Sequence, residues 1–182
     1  LLLTGIIGAF LIFSFFLGIY YIFSAPSYSI NGGELKTEIG FSKLYENSSS
    51  SIMYAPWNTT GFLTYGPYIP LGKGKYEVEF LIKVSNFSSN QDVGKIDIYS
   101  QGRILSEKIL DSTTIPNRGK DTKIKLPLII DKGEDPIEFR TFKNQFSEME
   151  VKSITVILAD SFAFSSAIIQ KIFILVFLSL FL

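Results

Sequence analysis

The sequence predicts an all-β chain: an antiparallel, jelly-roll-like β-sandwich flanked by an N-terminal and a C-terminal transmembrane helix. Three observations carry that expectation. An uncharged run from Leu1 to Phe23 opens the chain, and a second apolar run from Ile172 to Leu182 closes it. Between them, apolar residues recur at every second position, the period of a strand with one buried face. Clusters of Gly, Asn, Asp and Lys interrupt these alternations at a spacing suited to turns. The expected division is a transmembrane helix over 1–25, an extracytoplasmic β-sandwich over 26–160 and a second, truncated transmembrane helix over 161–182.

As a helix rising about 1.5 Å per residue, Leu1–Phe23 extends roughly 34 Å, enough for a hydrocarbon core of about 30 Å. Gly5, Gly8 and Gly18 are tolerated there, because a bilayer makes unpaired backbone too costly to melt. Tyr20 and Tyr21 suit the headgroup level, and Ser24-Ala25-Pro26 ends the helix. A cleaved signal peptide would need a basic start, a shorter apolar core and a small residue where Phe23 stands. No Lys or Arg precedes Ser24, so the expectation is a retained anchor.

At the other end, residues 161–170 are mixed, Lys171 follows, and the apolar run after it amounts to roughly 16 Å of helix. That is too short to cross alone; counting from Ala163, with Lys171 snorkelling outward, gives nearly enough. A short hairpin or interfacial helix is the alternative. The sequence opens and closes within apolar runs without an initiator Met, and is read as the visible part of a larger polytopic protein.

Within the middle, Tyr76, Val78, Phe80, Ile82 and Val84 alternate with Glu77, Glu79 and Lys83. Ile124, Leu126, Leu128 and Ile130 do the same against Lys123 and Lys125. Shorter alternations occur at Ile96–Ile98, Ile137–Arg140 and Ile154–Leu158, and Arg103–Leu110 reads as strand rather than short helix. Asn31-Gly32-Gly33, Gly72-Lys73-Gly74, Asn117-Arg118-Gly119 and Asp131-Lys132-Gly133 are turn chemistry. The expectation is eight to ten antiparallel strands in two sheets.

Residues 61–80 read GFLTYGPYIPLGKGKYEVEF. This stretch resembles a signature of carbohydrate-binding-module-like β-sandwiches, which recur on glycosyltransferases and other envelope proteins of bacteria and archaea. It holds a Tyr-Gly-Pro-Tyr turn at Tyr65–Tyr68, a Leu-x-x-Gly-x-Tyr corner at Leu71–Tyr76 and a following alternating strand. Gly94–Ile98 and Ile137–Arg140 also look like that family, so the resemblance covers Gly61–Leu158. It implies a sandwich fold and sugar binding. The residues that carry it are folding residues: Gly66-Pro67 bends the chain, Gly74 permits a tight turn, and Tyr76 starts a strand with its ring inward.

Composition excludes several chemistries. With 17 basic and 17 acidic residues, no strong field draws nucleic acid. No Cys and no His occur, which removes disulfides, thiol chemistry, Ser-His triads and the commonest metal ligand. No Gly-rich phosphate loop follows a strand and opens a helix, so neither a cofactor nor a metal is expected. Glu77 and Glu79 share a strand face in the manner of a glycosidase pair, but alternating charges on a wet face are ordinary, and no catalytic residue is assigned. Glu134 and Asp135 after Gly133 could join a calcium site; a solvated acidic turn accounts for them better.

Three Asn-x-Ser/Thr sequons begin at Asn47, Asn58 and Asn86, each in a turn-like stretch where a glycan could project. Tyr54, Trp57, Phe62, Tyr65 and Tyr68 cluster in the sequence, and Tyr54, Trp57, Tyr65 and Tyr68 form the candidate platform for a ligand or partner. Such rings stack on sugars, meet partner subunits or pack a sandwich edge.

Together these features predict a membrane-anchored, non-catalytic module for recognition or scaffolding at the cell envelope, with its domain on the extracytoplasmic face. The alternative is an accessory subunit whose sandwich caps a partner chain in a larger membrane complex. The expected partners are the lipid bilayer, other membrane protein chains and glycans, and no nucleic acid.

Overall fold

Among the described residues, eleven strands form two antiparallel sheets. A computed structural model describes residues 27–45, 49–88, 90–132 and 136–159. The strands are β1 (Ser27–Asn31), β2 (Phe41–Leu44), β3 (Ser51–Ala55), β4 (Gly61–Thr64), β5 (Pro67–Pro70), β6 (Gly74–Ser85), β7 (Gly94–Ser100), β8 (Arg103–Leu110), β9 (Asp121–Ile130), β10 (Pro136–Lys143) and β11 (Glu148–Leu158). One sheet has the order β2-β3-β11-β6-β9, with β1 also on β11; the other has β4-β10-β7-β8, with β5 also on β10. The expected transmembrane helices over 1–25 and 161–182, the sequon at Asn47 and the Glu134–Asp135 pair lie outside the described residues. Among the described residues, no helix is long and apolar enough to cross a membrane.

The alternation read from the sequence becomes the interior. Val78, Phe80, Ile82 and Val84 of β6 and Ile124, Leu126, Leu128 and Ile130 of β9 turn inward beside Met149, Val151, Ile154 and Val156 of β11. They belong to the same buried cluster as Leu63, Ile96, Ile98, Ile137 and Phe139 of the second sheet. Each buried side chain of this size contributes about 1.5–3 kcal/mol relative to exposure, so this layer is the main source of stability. The opposite faces are wet. Glu77 pairs with Lys125 (2.7 Å) and Glu79 with Lys123 (2.8 Å), so the two carboxylates belong to cross-strand ion pairs.

The strand total exceeds the expected eight to ten because short edge pieces carry little periodicity. After Gly61 the chain makes two strands, β4 and β5, which pair with the two halves of β10 on either side of Tyr65-Gly66. The Gly66–Pro67 bond between them is cis. Arg103–Leu110 is strand β8, paired along β7. Tyr76 packs against the core, and its hydroxyl donates to the Gly72 carbonyl (2.9 Å), closing the corner before β6.

Two poles result. Ser27 pairs with Ile157, so the chain enters and leaves the sandwich side by side. At the other end of β11, Glu148 accepts a bond from Ser85 at the end of β6 (3.4 Å). At about 3.3 Å per residue, roughly 33 Å of strand separates Glu148 from Leu158.

Candidate functional site

Three loops meet at the pole away from the chain's entry and exit. The first runs from Pro56 to Thr60 between β3 and β4. The Thr59 hydroxyl donates to the Pro56 carbonyl (2.9 Å), and Asn58 takes a left-handed conformation (φ 65°), which tightens the turn and leaves Trp57 exposed. A buried cation supports this loop from below. Lys143, inward-facing at the end of β10 and fully buried, donates from Nζ to the Thr59 carbonyl (2.7 Å) and the Asn144 carbonyl (3.1 Å). Burial lowers its pKa, with the Glu148 carboxylate acting the other way.

The second loop follows β6. Asn86 is also left-handed (φ 59°) and exposed, while Phe87 drops into the core at 5 % exposure. The adjacent Asn117–Gly119 turn is tied to β6 by the Gly119 N–H donating to the Val84 carbonyl (2.8 Å). That bond sets the Arg118 guanidinium over the Phe87 ring, 4.9 Å from its centroid. The third loop joins β10 to β11 and presents Phe146 edge-on to Trp57, with centroids 5.9 Å apart. Trp57 is 46 % exposed and Phe146 48 %.

Between the loops lies an open cleft of about 820 Å³ lined by Trp57, Ser85, Asn86, Phe87, Ser88, Arg118, Gly119 and Glu148. Its chemistry is an aromatic face flanked by a guanidinium, a carboxylate, hydroxyls and an amide. Apolar surface with a few directional polar groups is the usual make-up of a small-ligand site. An aromatic ring covers the C–H face of a pyranose, and charged groups make the stronger hydrogen bonds to its hydroxyls. Among the described residues, no group of three acidic residues is placed to hold a metal ion.

Of the four aromatic residues expected to form a platform, the structure brings only Trp57 to this cleft. Tyr54 alternates with inward-facing Met53 and Ala55, so it lies on the outer face of the six-stranded sheet, edge-on to Phe41 (5.3 Å) with Lys43 over its ring (4.1 Å). Burial, then the Glu148 charge, pushes its hydroxyl pKa up. Tyr65 and Tyr68 flank the turn between β4 and β5. Tyr65 exchanges backbone bonds with Lys36, and Tyr68 stands exposed beside Glu138 with Lys36 5.3 Å from its ring. Burial and then the Glu138 carboxylate raise the Tyr68 pKa.

A second aromatic group, on the outer face of the five-stranded sheet, is capped. Arg140 lies 3.9 Å from the Tyr99 ring centroid and 5.2 Å from that of Phe62, and Phe62 meets Phe142 edge-on. The guanidinium is held by the buried Asp97 carboxylate, Nε to Oδ1 at 2.6 Å and Nη2 to Oδ2 at 3.1 Å. Sequence reasoning missed Phe146, Arg118 and Glu148, which stand far from Trp57 in the chain. Asn117-Arg118-Gly119 carried only a turn signal.

No protein-family model matches this sequence, and no curated protein matches it. Solved structures do. A β-1,3-glucan-binding CBM6 from Bacillus halodurans is 12 % identical with a TM-score of 0.50, over 70 % of this chain and 92 % of that one. A CBM6 from Cellvibrio mixtus lichenase 5A, solved with cellotriose, is 11 % identical with a TM-score of 0.48, over 71 % and 95 %. The sandwich therefore has the carbohydrate-binding-module fold that the sequence resemblance implies.

Proposed function

We propose that this chain is a membrane-anchored, non-catalytic glycan-recognition module on the extracytoplasmic face of the cell envelope, reading sugars in the cleft around Trp57. The observation that carries the reading is the exposed Trp57, braced edge-on by Phe146, in a cleft that Arg118 and Glu148 also line. Exposed aromatic rings beside convergent polar groups suit a sugar ring better than a purely apolar ligand. The fold shared with a glucan-binding module supports the same reading. Anchoring rests on the apolar run Leu1–Phe23.

The accessory-subunit reading draws on a different feature. Strand β2 ends the sheet order among the described residues and exposes Phe41 and Leu44, the latter at 75 %, an apolar edge that another chain can cover. A homogeneous monomer without co-purifying chains in native mass spectrometry would sink that reading.

The test of glycan recognition uses the full chain in lipid nanodiscs against a panel of neutral and acidic oligosaccharides, read by microscale titration. At least one oligosaccharide should bind, and Trp57→Ala should weaken it at least tenfold, about 1.4 kcal/mol. Binding that survives Trp57→Ala unchanged would remove the cleft from the proposal.

A further inference from the structure

Two sequons separated by many residues converge on one place. Asn86 lines the Trp57 cleft, and Asn58 is the residue after Trp57 in the loop that forms its other wall. Both asparagines are exposed, and so are the hydroxyl residues that complete their sequons, Ser88 and Thr60. Both take the left-handed backbone conformation (φ 59° and 65°), which marks each as a turn position.

We propose that an N-linked glycan on Asn86 is the resident occupant of the Trp57 cleft, so that the chain carries its own ligand in cis and admits outside sugars only where Asn86 is unmodified. This rests on the reading of the cleft as complementary to sugar. The attachment forms a bond between Asn86 Nδ2 and the anomeric carbon of a lipid-linked oligosaccharide diphosphate. The anomeric C–O bond breaks, the lipid diphosphate departs with its electron pair, and one amide proton passes to a base of the transferring enzyme. Tethered within the cleft, the first sugars meet Trp57 at a local concentration in the millimolar range typical of short linkers, which outcompetes a weak ligand in solution. Asn58 is not among the residues that line the cleft, so its sequon serves as the control.

The experiment exploits a spectroscopic convenience: Trp57 is the only tryptophan in the chain. The full chain is produced as wild type and Thr60→Ala in a host with N-glycosylation machinery, and as wild type in a host without it, so that every residue lining the cleft is kept. Glycopeptide mass spectrometry reports occupancy, and acrylamide quenching reports access to Trp57. The expected result is glycan on Asn86 in both proteins from the glycosylating host, with Trp57 quenched at most half as efficiently as in the unglycosylated chain. Soluble oligosaccharide should bind the unglycosylated chain at least tenfold more tightly than the glycosylated wild type. An unmodified Asn86, or a modified one with quenching equal to the unglycosylated chain, overturns the proposal. The two readings fail separately. Protection of Trp57 in the glycosylated wild type with no oligosaccharide binding to the unglycosylated chain sinks outside recognition and upholds the resident glycan. Binding by the unglycosylated chain with an unprotected Trp57 in the glycosylated wild type does the reverse.

Discussion

Replacing Arg140 by methionine should unfold this domain more readily than replacing both Arg140 and the Asp97 it binds. Asp97 is 1 % exposed, directly across from Arg140 in the β7–β10 ladder. It accepts two guanidinium bonds, at 2.6 and 3.1 Å, and its remaining cationic neighbour is Lys95 at 3.5 Å. Arg140→Met keeps an unbranched stem on the sheet but leaves a buried carboxylate with the half-exposed Lys95 alone. Breaking a buried pair this way costs about 3–5 kcal/mol, because the stranded charge keeps its desolvation penalty. Losing the stack on Tyr99 and Phe62 adds about 0.5–1 kcal/mol. The double variant Asp97→Asn/Arg140→Met has no stranded charge and should cost about 1–2 kcal/mol in lost hydrogen bonds. Urea unfolding followed by circular dichroism reads all four corners of the cycle. A coupling of at least about 2 kcal/mol, and a drop in Tm of roughly 12 °C for Arg140→Met alone, are expected. A single variant within about 1 kcal/mol of wild type, or additive effects, would refute the clamp. Neither change should weaken oligosaccharide binding at Trp57, since the clamp sits on the outer face of the five-stranded sheet.

Asp111 Oδ1 gathers bonds from the Thr113 hydroxyl (2.6 Å), the Thr113 N–H (2.9 Å) and the Thr114 N–H (2.9 Å), and its pKa falls to about 2, the Thr113 hydroxyl contributing most. The folded value lies below the unfolded one, so this stabilisation is present above pH 4 and is lost as pH falls from about 4 toward 2. Asp111→Asn should flatten that leg of the acid-unfolding curve, and a carboxyl NMR titration should find the low midpoint. Lys143 runs the other way in sign. Burial lowers its folded pKa below 10.5, so its charge opposes folding at neutral pH and that opposition fades as pH rises toward 10.5. The stability of wild type relative to Lys143→Met should therefore increase between neutral pH and pH 10.5 in matched urea titrations; a flat difference would refute the buried, charged lysine.

The long strands were legible because each carried a dry and a wet face. β6 and β9 announce themselves through Val78, Phe80 and Ile82 against Glu79 and Lys83, and through Ile124 and Leu126 against Lys123 and Lys125. The short ones were not, since four or five residues such as Phe41–Leu44 or Pro67–Pro70 cannot establish a period. Of the four platform candidates, Trp57 alone lines the candidate cleft. Closeness in sequence made Tyr54, Trp57, Tyr65 and Tyr68 look like one surface. Strand geometry separates them: Tyr54 follows the period-two rule to the outer face of one sheet, and Tyr68 belongs to a strand of the other. Phe146, Arg118 and Glu148 reach Trp57 only because loops from separate hairpins end at the same pole, which no local pattern records.

That pole bears on which role suits the fold. The chain joins the sandwich through Ser27 and leaves through its cross-strand neighbour Ile157, while the cleft lies beyond Glu148 at the other end of β11. A scaffold needs its contact surface on a broad sheet face or edge, as β2 offers with Phe41 and Leu44. A recognition module needs an exposed, supported site, and Trp57, held up by the buried Lys143 and braced by Phe146, meets that condition. Phe41 and Leu44 are not among the residues that line the cleft, so a partner on β2 and the proposed sugar at Trp57, from outside or from Asn86, are compatible readings.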